Sequence, residues 1–303
     1  MFILLAALLP VAILLFYIYR KDPQPEPVSA LARAVLYGAL MVVPILVVEV
    51  VVSMLLFGGG HPINFVDSML QAFLVAAVPE ESFKLLALWL VTRRNPYFDE
   101  HFDGIVYAVC VSLGFAAVEN IEYVYSDLNS WQTTAVLRGL LAVPGHYGFG
   151  IIMGYFYSVY HFIDRSPRAR ALVLLMPILG HGIYDTIAMS GAVNPYVQGI
   201  SFMILVAFCI KMHRFAYDKI KTQIARDNFA QRGDDYEKDY AQYVDDDRKA
   251  GCMGIVFSIL FPLVGIILYF TQRKSVDNPS AYLWGAMVGF ILGVMLRAAV
   301  GAS

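Results

Sequence analysis

Glu80, Glu81 and Lys84 stand inside an apolar run covering about residues 67–91. A run of that length spans a bilayer, which takes roughly 20 apolar residues in a helix. An ionised carboxylate at mid-membrane depth costs about 2.5–3.5 kcal/mol, and it is tolerated where it faces a water-filled cavity or a partner charge. Lys84 follows Glu80 by four residues and Glu81 by three, so its ammonium reaches either carboxylate along one helix. One ammonium cannot neutralise two acids, and two carboxylates this close titrate as a coupled pair. Pro79, just before the pair, removes a backbone hydrogen bond and leaves the carbonyl of Val75 without its usual donor. The helix should bend there and admit water or a peptide. A structural ion pair between packed helices is the plainer alternative, although it has no need of the second glutamate.

Three further apolar segments carry polar residues of the same kind. Glu119 and Asn120 sit together in one of them. His146 lies in the next, within Pro144-Gly145-His146-Tyr147-Gly148-Phe149-Gly150, where Gly150 and Gly154 form a stripe of small residues suited to close helix packing. His181 and Asp185 follow, one helical turn apart on one face, a spacing that lets the carboxylate fix the imidazole's tautomer. The plainer alternative is an interfacial position for Glu119, near the outer end of its span, a hydrogen bond between helices for His146, and a buried structural pair for His181 and Asp185. Carboxylates and imidazoles in one cavity suit hydrolysis by a glutamate-activated water. They also suit zinc-assisted hydrolysis, with His146, His181 and Glu81 as ligands, or proton-coupled transport. The chain has no H-E-x-x-H and no G-x-S-x-G, the signatures of the common zinc and serine hydrolases.

The elements that must position these residues are membrane spans. Of 303 residues, 59% are hydrophobic and 15% charged, against roughly 25% charged in soluble proteins. The expected fold is all-α, a polytopic transmembrane helical bundle. A net charge of −2 gives no reason to expect nucleic acid. Cys110, Cys209 and Cys252 stand singly and read as packing residues. Residues 2–19 are apolar but have no basic stretch before them and no A-x-A after them, so they read as a retained first span.

The pattern predicts about nine spans, near residues 2–19, 31–57, 67–91, 104–125, 134–160, 171–189, 195–210, 252–270 and 281–300. Arg20 and Lys21, Arg93 and Arg94, Arg165, Arg168 and Arg170, and Lys211 and Arg214 all fall on one side. The loops at 58–64, 126–132 and 190–194 contain no lysine or arginine. The positive-inside rule then places the N-terminus outside the cytoplasm. Three parts follow: a bundle over 1–210, a charged cytoplasmic segment over 211–250 whose basic half can touch anionic lipid, and an appended two-span hairpin over 251–303. Arg273 and Lys274, in the hairpin's loop, breach the charge rule. The polar residues all gather in spans three to six by this count, and a transporter-like internal repeat is not visible.

Taken in order, Glu80-Glu81-x-x-Lys84, Phe115-x-x-x-Glu119-Asn120, His146-x-x-x-Gly150 and His181-x-x-x-Asp185 resemble the PrsW family of membrane proteases. That family is distantly similar to the CAAX prenyl proteases. The resemblance covers about residues 30–210. It implies a glutamic-type intramembrane protease, without a cofactor, in the plasma membrane of a prokaryote. Glu80 or Glu81 would be the base toward water, and His181 would bind the oxyanion or orient the water. Lys84 comes one residue earlier than the arginine of the CAAX relatives. Glu119 stands where they have a histidine, a role His146 can supply; the PrsW pattern shares both departures. The implied catalytic set is Glu80, Glu81, Lys84, Glu119, His146, His181 and Asp185. The implied substrate is a single-pass membrane protein, an anti-sigma factor receiving its first cut near the extracytoplasmic side. A proton-coupled transporter or a non-catalytic membrane scaffold is the alternative.

Overall fold

The computed structural model describes residues 2–126, 128–193 and 198–232 and, near the C-terminus, 266, 269, 278–288 and 290. The described residues up to 232 are helices joined by short turns. α1 (Phe2–Lys21) buries one stripe, Ala7, Val11, Leu14 and Ile18, at the four-three-four spacing of a helix face. On its other faces Phe2, Leu5, Leu9 and Phe16 are exposed. An apolar exterior of this kind is what lipid covers. α2 (Val28–Leu40) and α3 (Val42–Phe57) form one continuous apolar stretch ended by Gly58, whose φ of 59° places it in the left-handed region.

Next come α4 (Phe65–Leu70), a π-helical turn at Gln71–Ala77 and α5 (Val78–Thr92). The Asn64 side chain caps α4 by accepting from the Asp67 N–H at 2.9 Å. α6 (Asp103–Ser126) is buried along most of its length and is the axle of the bundle, with α1, α2 and α8 packed on it. α7 (Trp131–Leu137), a π turn at Arg138–Ala142 and α8 (Val143–Ser158) follow as one rod. α9 (Pro167–Val193) and α10 (Gln198–Arg232) complete it.

The small-residue stripe of α8 sits against α6. A Cβ on Gly154 would collide with the backbone of Gly104 and Ile105, and one on Gly150 would press on the Ser112 side chain and the Val109 backbone. That close approach sets the distance between Glu119 on α6 and His146 on α8.

Among the described residues, six helices are long and apolar enough to cross a membrane: Phe2–Lys21, Val28–Phe57, Asp103–Ser126, Trp131–Ile163, Pro167–Gly191 and Gln198–Arg232. The chain is thus a multi-pass integral membrane protein. The continuous helix over 65–92 is not among the six and carries Asp67, Glu80, Glu81 and Lys84. α10 runs unbroken past residue 210, where the sequence suggested the bundle ends. Met212, Ala216, Ile220 and Phe229 are buried on it. At 1.5 Å per residue its 35 residues extend about 52 Å, more than the hydrocarbon thickness of a bilayer. Asp227 near its end accepts hydrogen bonds from the His101 and Phe102 N–H groups at 2.7 and 2.8 Å, just before α6 begins. The remainder of the charged segment and most of the expected hairpin lie outside the described residues. Residues 280–288 there are helical.

Candidate active site

Two helices present the central side chains by one local device. The π turn before α5 ends in a hydrogen bond from the Val78 N–H to the Phe73 carbonyl, and the π turn before α8 in one from Val143 to Arg138. Each is followed at once by proline, Pro79 and Pro144, at the start of the next α-helix, where a missing N–H costs little. The wider turn absorbs the break that a proline imposes on a helix. The expected bend at Pro79 is therefore a π turn. The residue two after each proline, Glu81 or His146, points to the bundle centre and is buried.

Lys84 lies at the middle of a continuous network. Its Nζ donates to Glu80 Oε2 at 2.8 Å and to Glu81 Oε1 at 2.9 Å. It lies 3.3 Å from His146 Nδ1 and 4.2 Å from the centre of the Phe115 ring. If Lys84 donates to Nδ1, the ring proton of His146 is on Nε2, which faces Glu119 Oε2 at 2.8 Å. Arg138 donates to the same Glu119 oxygen at 2.7 Å and to Asn120 Oδ1 at 2.9 Å, and Asn120 in turn donates to the Ala7 carbonyl at 2.6 Å. On the other side, His181 Nδ1 is 2.8 Å from Glu81 Oε1 and its Nε2 is 3.2 Å from Asp185 Oδ2. The ring of His181 stacks on Phe149, with centroids 4.7 Å apart and planes 17° from parallel. Glu80, Glu81, Lys84, Glu119, His146, His181 and Asp185, scattered over 106 positions of sequence, form one cluster.

The chain matches, over residues 26–212, the family described as PrsW family intramembrane metalloprotease. It belongs to the PrsW family of intramembrane proteases. Relatives named Protease PrsW share this similarity across most of their length. That of Oceanobacillus iheyensis is 37% identical over 186 residues, 61% of this chain and 82% of the relative. That of Bacillus subtilis is 37% identical over 207 residues, 67% of this chain and 90% of the relative. That of Clostridioides difficile is 32% identical over 223 residues, 72% and 89% of the two chains. No solved structure matches.

In this PrsW-family chain the network forms one wall of a cavity of about 840 Å³. Glu80, Glu119, His146, His181 and Asp185 line it, whereas Glu81 and Lys84 lie behind them. The cavity reaches Gly59, Tyr123, Gly191 and Gln198, the end of the bundle away from the basic loops. Two charged lining residues escaped the sequence reading. Arg138 is a single arginine in an apolar segment, and that costly lone charge was the available signal. Glu49 belongs to the second span, so the polar residues are not confined to spans three to six.

The donor set also fits a metal. Among the described residues, Glu80, His146 and His181 offer ligand atoms within 4.8 Å of one another. Two imidazoles and a carboxylate are the ligand set of many catalytic zinc sites. The carboxylate grouped with the histidines is Glu80, where the sequence pointed to Glu81. Glu81 is instead tied down by Lys84 and His181.

Proposed function

We propose that this chain hydrolyses a peptide bond in a membrane-anchored protein, with Glu80 as the base toward water. The observation that carries this reading is the division of labour within the glutamate pair. Glu80 reaches the cavity, while Glu81 has no exposed surface and is held by Lys84 and His181. Glu80 takes a proton from water as its oxygen attacks the carbonyl carbon. His181 Nε2, whose 3.2 Å contact to Asp185 is longer than the 2.8 Å one from Nδ1 to Glu81, turns its N–H from the Asp185 carboxylate to the oxyanion that develops. As the C–N bond breaks, the proton on Glu80 passes to the leaving amine. Glu81, Lys84 and Asp185 act by orienting Glu80 and His181, and Glu119 orients His146.

A second reading has its own support in the grouping of Glu80, His146 and His181. These three would hold a zinc ion, which when bound polarises a carbonyl and lowers the pKa of water. The ammonium of Lys84, 2.8 Å from Glu80, occupies the neighbourhood such a cation needs and must withdraw from Glu80 to admit it.

Loop charges favour an extracytoplasmic N-terminus, nine spans in all and a cytoplasmic segment after α10. The cavity then faces the extracytoplasmic side, where an extended segment of a single-pass substrate enters, since a helix hides its carbonyls. The family resemblance favours an anti-sigma factor in that place. Full-length protein in lipid nanodiscs, mixed with a tagged single-pass substrate, tests the reading. A new terminus near the extracytoplasmic boundary, absent with Glu80→Gln, is the expected result. Processing that is unchanged in Glu80→Gln overturns it.

A further inference from the structure

Five carboxylates line the cavity: Glu49, Glu80, Glu119, Glu122 and Asp185. Arg138 is the only lysine or arginine among the described lining residues, and Glu119 and Asn120 already engage it. Glu80 has Lys84, and Asp185 has His181. Glu49 and Glu122 make no hydrogen bond or ion pair with another described residue. Glu122 is exposed near the end of α6, where a carboxylate needs no partner. Glu49 is different. It sits half-way along α3, between Val47-Val48 and Val50-Val51-Val52, in a helix whose outer face is apolar and exposed. A carboxyl at that depth is retained when it serves a partner or a passing ligand.

A second unfilled acceptor lies in the same cavity. Gln71 opens the π turn that packs against α3, and its Oε1 is buried with no hydrogen-bond partner. Buried acceptors are nearly always satisfied, so an orphan on a side chain that lines a cavity points to a donor supplied from outside when the side chain turns toward it. The lining between these groups is apolar, with Leu46, Val50 and Val75. It suits the methylene stem of a long basic side chain whose charged head continues to a carboxylate.

We propose that Glu49 is the specificity determinant of the cavity. It takes the lysine or arginine side chain of an extended substrate segment, and Gln71 accepts an N–H from that segment. The preferred substrate is then a membrane protein with a basic residue beside the bond to be cut. This rests on the protease reading, and it is best tested by binding, which is independent of turnover.

The probe is a set of synthetic single-pass peptides with an extended juxtamembrane tail. One lysine is moved stepwise along the tail, and a glutamine peptide is made for each position. Binding is measured to the full chain in nanodiscs in the Glu80→Gln background, so that no peptide is cut. At one position lysine should bind tighter than glutamine by about tenfold or more, the worth of a charge-assisted hydrogen bond. Adding Glu49→Gln should erase that ratio, and Glu49→Lys should turn it toward a glutamate peptide at the same position. Equal binding of lysine and glutamine peptides at every position overturns the proposal, as does a lysine preference that survives Glu49→Gln. A lysine preference that depends on Glu49, in a protein whose Glu80 form never cuts the same peptides, upholds the binding site and sinks the protease reading instead.

Discussion

Glu81 Oε1 lies 2.8 Å from His181 Nδ1, a bond that ties the glutamate pair on α5 to α9 across 100 positions of sequence. The same oxygen accepts from Lys84, while Glu81 Oε2 is buried with no hydrogen-bond partner. Removing Glu81 takes one buried hydrogen bond from Lys84 and one from His181, which keep Glu80 and Asp185, at about 1–3 kcal/mol for each bond lost. Glu81→Ala should therefore unfold the detergent-solubilised protein at markedly lower denaturant. Glu80→Gln should leave the unfolding midpoint near that of the parent while cleavage falls roughly 10²–10⁴-fold, as expected for a lost general base. Equal loss of stability in the two variants contradicts the division of roles.

The two glutamates were legible because carboxylates in an apolar span are so costly that their presence alone marks a site. His146, His181 and Asp185 were legible for the same reason and by helical spacing. Glu49 and Arg138 meet the same cost argument but were passed over, because neither belongs to one of the four ordered motifs. The π turns were hidden. Ala77-Val78-Pro79 and Ala142-Val143-Pro144 have the same sequence and sit at the same place in their helices. From the chain alone, proline signals only a missing hydrogen bond, not that a wider turn takes it up.

That shared device leads to a second expectation. Alanine in place of Pro79 restores a backbone N–H, and the π turn over Gln71–Ala77 can then relax to an α-helix. Relaxation rotates the helix before the turn relative to Glu80 and Glu81. Pro79→Ala should keep or raise thermal stability, because proline is a poor helix former, while cleavage drops. Full activity in this variant means that the π turn has no part in setting the site.

Metal dependence separates the two chemical readings. If Glu80 acts on water unaided, exhaustive chelation leaves turnover unchanged and elemental analysis finds no stoichiometric zinc. If Glu80, His146 and His181 hold zinc, chelation stops turnover and added zinc restores it. Lys84→Met should then raise zinc affinity, because the competing ammonium is gone.

Topology is open to a direct measurement. A reporter fused after Gly59 should read as extracytoplasmic and one after Asp235 as cytoplasmic. A cytoplasmic reading at Gly59 overturns the orientation drawn from the loop charges.

The last expectation concerns pH and lies outside the spans, in the link between α1 and α2. Glu26 is 6% exposed there, with the Tyr107 hydroxyl donating to its Oε2 at 2.8 Å. Burial pushes the Glu26 carboxyl above the usual glutamate range, and the neighbouring Asp22 and Asp99 push the same way, against the bond from Tyr107. Burial likewise raises Asp22. A carboxyl raised in the folded state keeps its proton at a pH where the unfolded chain has lost it. Its contribution to stability is fully present below the unfolded value, near pH 4.5 for Glu26, and is lost as pH rises through the folded value. These two residues should therefore make the melting temperature fall as pH rises above about 4.5. Glu26→Gln keeps the shape and removes the titration, so the difference between variant and parent should grow in the variant's favour over that interval. Melting in detergent at a series of pH values decides it: a difference that stays constant with pH, or grows in the parent's favour, shows that Glu26 is not held protonated by its surroundings.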